Sequence, residues 1–175
     1  MANVGTQIIH IIVNIKEEFN MQFFGIMCGI PGSGKSTFCE EYKRVHPYLK
    51  VISRDEIRFS TLSKEDNYFD KEDAVLEKFY SDIRQALEDG FDVIADATHI
   101  TDKSRAATLN AVKDIVEQHN ILTKVFWKDV DLATALERNE KREGLAKVPR
   151  GVIRRMFYQM KAPSSAEGFD NIILI

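Results

Sequence analysis

Several short stretches of this 175-residue chain carry side chains suited to chemistry on phosphate. From Gly29 to Thr37 it reads GIPGSGKST, three glycines, a proline and a lysine placed directly after the apolar run FFGIMC. Gly29–Ser36 fits the pattern G-x-x-x-x-G-K-[ST], set where a strand hands over to a helix. Glycines let the backbone turn its N–H groups inward, so that Gly32, Ser33, Gly34, Lys35, Ser36 and Thr37 form a nest for phosphate oxygens at a helix N-terminus. Lys35 adds a point charge for the β- and γ-phosphates of ATP, and the Ser36 hydroxyl offers a ligand for Mg²⁺. A plain glycine-rich turn is the bland alternative; it does not require the lysine and the hydroxyl at these offsets.

The stretch ISRDEIR supports two readings. Ser53 and Glu56 have capping-box spacing, with Asp55 favourable in the first turn, which is purely structural. Asp55 and Arg58 are three residues apart and share a helix face, so a carboxylate able to take a proton from a hydroxyl lies beside a guanidinium able to hold an acceptor phosphate. In VIADATH, Asp96 ends a buried strand at the carboxyl edge, where open α/β sheets bind ligands, and it can hold Mg²⁺ directly or through water. The alternative there is that Asp96 and Thr98 cap the next helix. In ERNEKR, Arg138 and Arg142 share one helix face ahead of EGLAKVP, a stretch bracketed by Gly144 and Pro149 that reads as a mobile loop. Solvated pairing with Glu137 or Glu140 is the default for such a run, but a lid closing its arginines on a transferring phosphoryl group fits the charge of the window better.

That charge is uneven along the chain. Residues 138–161 hold eight basic side chains against Glu140 and Glu143, a balance of +6 in a protein whose net charge is −3. A focused cationic patch on an acidic body suits a compact anionic ligand better than a long featureless strand. The four histidines do not cluster, which argues against a histidine metal site. Phe59, Tyr68, Phe69, Phe79 and Tyr80 could stack on bases, although core packing accounts for them more simply. Cys28 and Cys39 read as reduced packing residues of a cytoplasmic protein, and no apolar run reaches the ~18 residues of a membrane span.

The elements that must position these groups alternate regularly from Met21 onward. FFGIMC, LKVIS, FDVIAD, ILTKVFW and NIILI predict buried strands. Helical patterns fall at Lys35–Arg44, Asp55–Ser60, Asp70–Glu88, Thr101–His119, Asp131–Arg142 and Pro149–Met160. This alternation predicts one α/β domain at residues 21–175, a parallel sheet covered on both faces. Residues 1–20, with TQIIHIIVNIKEEF, read as an N-terminal extension of open role: a packing or dimerising segment, or a product of start-site choice.

In order and spacing, GIPGSGKST, SRDEIR, DATHITDKSR and RNEKR…VPRGVIRRM resemble the P-loop kinases of the polynucleotide 5′-kinase and zeta-toxin type, over roughly residues 21–175. The resemblance implies a P-loop NTPase fold: a three-layer α/β/α sandwich with a mostly parallel sheet of four to five strands and a helical lid around residues 138–161. It implies ATP- and Mg²⁺-dependent transfer of the γ-phosphoryl group to a hydroxyl, foremost the 5′-hydroxyl of a polynucleotide. Asp55 would be the general base, Arg58 the contact to the acceptor's phosphate, and Arg142 with Arg138 the clamp on the donor, while Lys35 and Ser36 serve ATP and Mg²⁺. Thr98 and His99 would line the substrate side, and Asp96 would join Ser36 at the metal. His99 stands where asparagine is commoner, and the acidic position of that motif falls on Asp96 or Ala97. No phosphatase domain follows NIILI, so the kinase activity alone is implied. Two rivals stay open: a small-molecule or sugar-nucleotide kinase, and a nucleotide-dependent binding module with little catalysis.

Overall fold

The five apolar runs form five strands. In the computed structural model, residues 21–63, 65–68 and 70–175 are described; the extension at 1–20 and Phe69 lie outside them. Strands β1 (Phe23–Cys28), β2 (Leu49–Ser53), β3 (Asp92–Asp96), β4 (Leu122–Trp127) and β5 (Asn171–Leu174) make one sheet in the order β2-β3-β1-β4-β5. Every neighbouring pair is parallel. All six residues of β1 are buried because it is the central strand with helices on both faces, which is why its sequence is a continuous apolar run.

Among the described residues the helices are α1 (Lys35–Val45), α2 (Arg54–Thr61), α3 (Glu72–Glu88), α4 (Asp102–Asn110), α5 (Lys113–His119), α6 (Leu132–Glu140) and α7 (Arg150–Gln159). Period-two alternation divides the core between the two faces of the sheet. Phe24, Ile26, Val93, Ala95 and Val125 pack with Val75, Phe79, Ile83 and Leu87 of α3 and with Ile115 of α5. Phe23, Met27, Ile94 and Phe126 pack with Cys39, Phe38 and Tyr42 of α1. A third cluster of Ile30, Ile100, Ala135, Leu136 and Ile153 anchors α6 and α7 to the carboxyl end of β1. Each fully buried Ile or Phe contributes roughly 1.5–3 kcal/mol, so the base of the lid is held by apolar burial and not by surface ion pairs. Cys28 and Cys39 are both free and buried. No helix among the described residues is long and apolar enough to cross a membrane.

Two local expectations are corrected. The helix expected over Thr101–His119 is broken into α4 and α5 at Ala111–Val112. The Ala111 carbonyl takes a 2.8 Å bond from Arg84 Nη1, and Val112 is fully buried in the core, so the backbone turns there. The stretch read as a mobile loop is partly ordered. It holds a 3₁₀ turn at Gly144–Ala146 and is fastened at its far end, where Asn139 Nδ2 donates to the Val148 carbonyl at 2.7 Å and Val148 N donates back to Asn139 Oδ1 at 3.0 Å.

Candidate active site

The loop after β1 turns through Gly32 and Gly34, at φ 83° and 100°, conformations that a side chain resists. At Gly32 the space is also closed: a Cβ there would sit 2.3 Å from the Ala135 carbonyl oxygen. Gly34 caps α1 with no side-chain hydrogen bond, and no acidic residue stands in the first turn. The leading amides of this 11-residue helix, with its positive dipole end, are therefore left to an outside acceptor. The buried Ser33 hydroxyl inside the same loop also has no hydrogen-bond partner. These features fit the cradle for a phosphate chain that the sequence predicts.

Lys35 folds back over the loop, its Nζ donating to the Ile30 carbonyl at 3.1 Å. Burial pulls its pKa below the ordinary lysine value; Asp96 and Asp55 work against that shift, and Arg142 adds to it. Asp96, at the end of β3, is 8% exposed and receives the Ser36 hydroxyl on Oδ2 at 3.4 Å. Burial raises its pKa, opposed by Lys35, and Asp55 contributes to the rise. Asp55, Asp96 and Arg142 thus all lie within electrostatic reach of Lys35. A hydroxyl and a carboxylate side by side are the hard oxygen ligands Mg²⁺ takes alongside phosphate and water, so the donor set fits that ion. Among the described residues no three His, Cys, Asp or Glu side chains gather into a metal site of their own.

Asp55 and Arg58 sit one turn apart on α2. Ser53 caps that helix by accepting from Glu56 N at 3.3 Å, so the Ser53 half of the expected capping box forms alongside the Asp55–Arg58 pair. Arg58 Nη1 donates to Asp55 Oδ1 at 2.6 Å. The two differ in access: the Asp55 side chain is 64% exposed and that of Arg58 only 4%. The Arg58 guanidinium also meets Tyr68 and Glu72, residues that no motif singled out for this site. Glu72 further pairs with Arg54. Burial works against ionisation of Glu72, yet hydrogen bonds from Arg58 and Arg54 hold its carboxyl below the usual range. Burial, helped by the nearby Asp55 carboxylate, pushes the Tyr68 phenol up to about 12, so it remains a donor at neutral pH.

From the lid base, Arg138 Nη1 donates to the Ser33 carbonyl at 3.2 Å and so braces the phosphate loop. Arg142, half-buried two residues past α6, has a long 3.5 Å bond to the Ala146 carbonyl. Thr98 is half-buried, and its carbonyl accepts from Gly29 N at 2.9 Å. Neither Thr98 nor Asp96 caps α4; Thr101 does, in a capping box with Ser104.

His99 differs from its expected role on the substrate side. It is 6% exposed, with Nδ1 at 3.0 Å from the Met27 carbonyl and Nε2 at 3.0 Å from Thr108 Oγ1. A carbonyl only accepts, so Nδ1 carries the proton and Nε2 accepts from the threonine; both ring nitrogens are engaged inside the protein. Burial lowers its pKa to about 4, which keeps the ring neutral.

Among the described residues, Arg105 is the largest fully buried side chain. Its Nε and Nη2 donate to Glu167 at 2.6 and 2.9 Å. Its Nη1 donates to the His99 carbonyl at 3.0 Å and the Lys161 carbonyl at 3.1 Å, tying the floor of the site to the end of the lid. The arginine stands in plain sight in DKSR, but nothing local assigns it a partner.

Residues 25–163 match a protein family described as an AAA domain. The chain is 27% identical over 154 residues to the L-seryl-tRNA(Sec) kinase of Methanococcus maripaludis, a match covering 83% of this chain and 55% of that protein. A chain of the Pnkp1/Rnl/Hen1 RNA repair complex aligns with a TM-score of 0.60 at 20% identity, over 79% of this chain and 44% of the other. A sugar kinase from Janibacter sp. HTCC2649 gives a TM-score of 0.60 at 15% identity, over 88% and 84%. The chain spans about half the length of the curated relative and of the RNA-repair chain. The fold is that of the P-loop kinases, the three-layer α/β/α sandwich expected from the sequence.

Proposed function

The chain belongs to the AAA domain family, and within it we infer an ATP-dependent kinase whose acceptor is the 5′-hydroxyl of a polynucleotide. The observation that carries this reading is the carboxylate of Asp55, exposed toward solvent yet fixed by a buried guanidinium, within electrostatic reach of Lys35. A module that only binds nucleotide has no use for such a group, whereas transfer to an alcohol needs a proton acceptor beside the phosphate cradle.

In this reading the amides of Lys35, Ser36 and Thr37 and the Lys35 ammonium hold the triphosphate. Ser36 and Asp96 would hold Mg²⁺, which when bound neutralises charge on the phosphate oxygens. Asp55 takes the proton from the acceptor hydroxyl as its oxygen attacks. Arg138 keeps the loop in shape through the Ser33 carbonyl, and Arg142 reaches in from the lid. Phosphoryl transfer asks mainly for positioning and charge neutralisation, so this short roster suffices.

The polynucleotide acceptor is supported by the combined motifs around Asp55, Asp96 and Arg138. It is supported too by likeness to an RNA-repair chain. The sugar kinase of the same fold favours a small polyol as the second reading. Incubation with labelled ATP, Mg²⁺ and a panel of 5′-hydroxyl oligonucleotides, nucleosides and sugars separates the two. Label on the oligonucleotide 5′ end is expected; label confined to a sugar or nucleoside would overturn the polynucleotide acceptor.

A further inference from the structure

We infer that Arg58 orients the catalytic base, and that Glu72 and Tyr68 are positioning residues that set Asp55 through it. This rests on reading Asp55 as the base, and it adds a task to the arginine that the sequence places on the acceptor's phosphate.

The geometry commits both terminal nitrogens of the guanidinium. Nη1 donates to Asp55 Oδ1 at 2.6 Å and to the Tyr68 hydroxyl oxygen at 3.0 Å. Nη2 donates to both Glu72 oxygens, at 3.1 and 2.8 Å. The Tyr68 ring covers the guanidinium, its centroid 4.4 Å from Cζ. An acceptor phosphate could reach Arg58 only by displacing one of its carboxylates, from a side chain that is 4% exposed. On the Glu72 side, where the partners are 4% and 23% exposed, such charge-assisted bonds are the strong ones.

The same contacts give Asp55 a defined orientation. The Tyr68 hydroxyl, besides accepting from Arg58, donates to Asp55 Oδ1 at 2.9 Å. Both the guanidinium and the phenol therefore bind one oxygen, Oδ1, of a side chain that is 64% exposed, and we assign the proton to Oδ2. In the transfer step the acceptor oxygen forms the new P–O bond and its proton passes to Oδ2. The bond between the γ-phosphorus and the bridging oxygen breaks, and that electron pair leaves with ADP. Glu72, at the first residue of α3, anchors the far end of the guanidinium at a helix N-terminus, where a carboxylate is favoured. Base, arginine and anchor thus belong to two helices, and Tyr68 comes from the segment between them.

The test measures kcat and KM for Tyr68→Phe and Glu72→Gln in the full chain, with labelled ATP and the acceptor the panel identifies. Tyr68→Phe keeps the ring over Arg58 and removes only the hydroxyl. Its kcat is expected to fall about tenfold, and that of Glu72→Gln about a hundredfold, as the carboxylate swings out of line. Acceptor KM and ATP affinity are expected to stay within about twofold of the parent, because neither residue touches a substrate in this scheme. Glu72→Gln leaves a buried cation short of its counter-charge and can unfold the protein, so a melting curve accompanies it, and Tyr68→Phe is decisive by itself. Parental kcat in a folded Tyr68→Phe protein, or a raised acceptor KM at parental kcat, overturns the inference. Loss of kcat on a sugar acceptor upholds it while overturning the polynucleotide reading. A parental chain that phosphorylates no acceptor overturns both.

Discussion

Replacing Glu167 by Ala should strip the buried Arg105 of its counter-charge. The pair is bidentate at 2.6 and 2.9 Å, with the two side chains 0% and 13% exposed, so solvent cannot replace the lost carboxylate. Breaking one side of such a pair costs about 3–5 kcal/mol. For a chain of this size each kcal/mol moves the melting midpoint by about 2–4 °C, so a fall of roughly 6–20 °C is expected. A double replacement, Arg105→Met with Glu167→Leu, removes the stranded charge but leaves the His99 and Lys161 carbonyls without their donor. At about 1–3 kcal/mol for each such group, it should recover only part of the loss. Guanidinium unfolding followed on Trp127, the only tryptophan, measures both variants. The pH dependence supplies a second check. Arg105 holds the Glu167 carboxyl below its ordinary value of 4.5, so the contribution is fully present above that pH and is lost as pH falls through the lower folded-state value. The gap between parent and Glu167→Ala should therefore narrow in acid. A loss under about 1 kcal/mol at neutral pH, or a gap that is the same at both pH values, would refute the account.

Two further outcomes are expected. Asp55→Asn should lower kcat by about 10²–10⁴-fold while leaving ATP affinity nearly unchanged, read by transfer of labelled phosphate and by calorimetry; parental turnover would remove Asp55 as the base. His99→Asn should flatten stability between about pH 6.5 and 4. The native ring stays neutral down to about 4, whereas the unfolded ring takes a proton below about 6.5, so stability falls with pH across that window by up to about 3 kcal/mol. Asparagine tolerates the positive φ of 39° at this position, and denaturant midpoints at several pH values give the comparison.

What the sequence makes legible is local. GIPGSGKST announces its loop because the motif and its flanking strand and helix are contiguous, and Asp55 and Arg58 declare a shared face through their three-residue spacing. Glu72 and Tyr68 lie 14 and 10 residues from Arg58, and Glu167 lies 62 from Arg105; such partners are set by how helices dock, and no spacing rule reaches them. His99 escapes for the same reason, since its burial depends on Met27 across the sheet and on Thr108 of α4. The break at Ala111 has a similar cause, a carbonyl drawn off by Arg84 from another helix.

The two lid arginines, equal by spacing, are made unequal by their surroundings. Arg138 is fixed at 3.2 Å on the Ser33 carbonyl, and its helix is anchored by Ala135 and Leu136 in the cluster under the phosphate loop. Arg142 lies beyond the end of α6, outside that cluster, with one bond at 3.5 Å to a carbonyl of the 3₁₀ turn. Asn139 closes the base of the segment between them and Val148, so motion beyond it need not disturb Arg138. A weakly held cation on a tethered loop can move toward developing negative charge at little cost, whereas a braced one keeps the loop in shape beforehand. Arg142 also depresses the Lys35 pKa, so two cations already repel one another in the absence of phosphate. In the proposed kinase reading an incoming polyanion would relieve that repulsion, so the loosely held Arg142 would draw in with the ligand while the braced Arg138 would not.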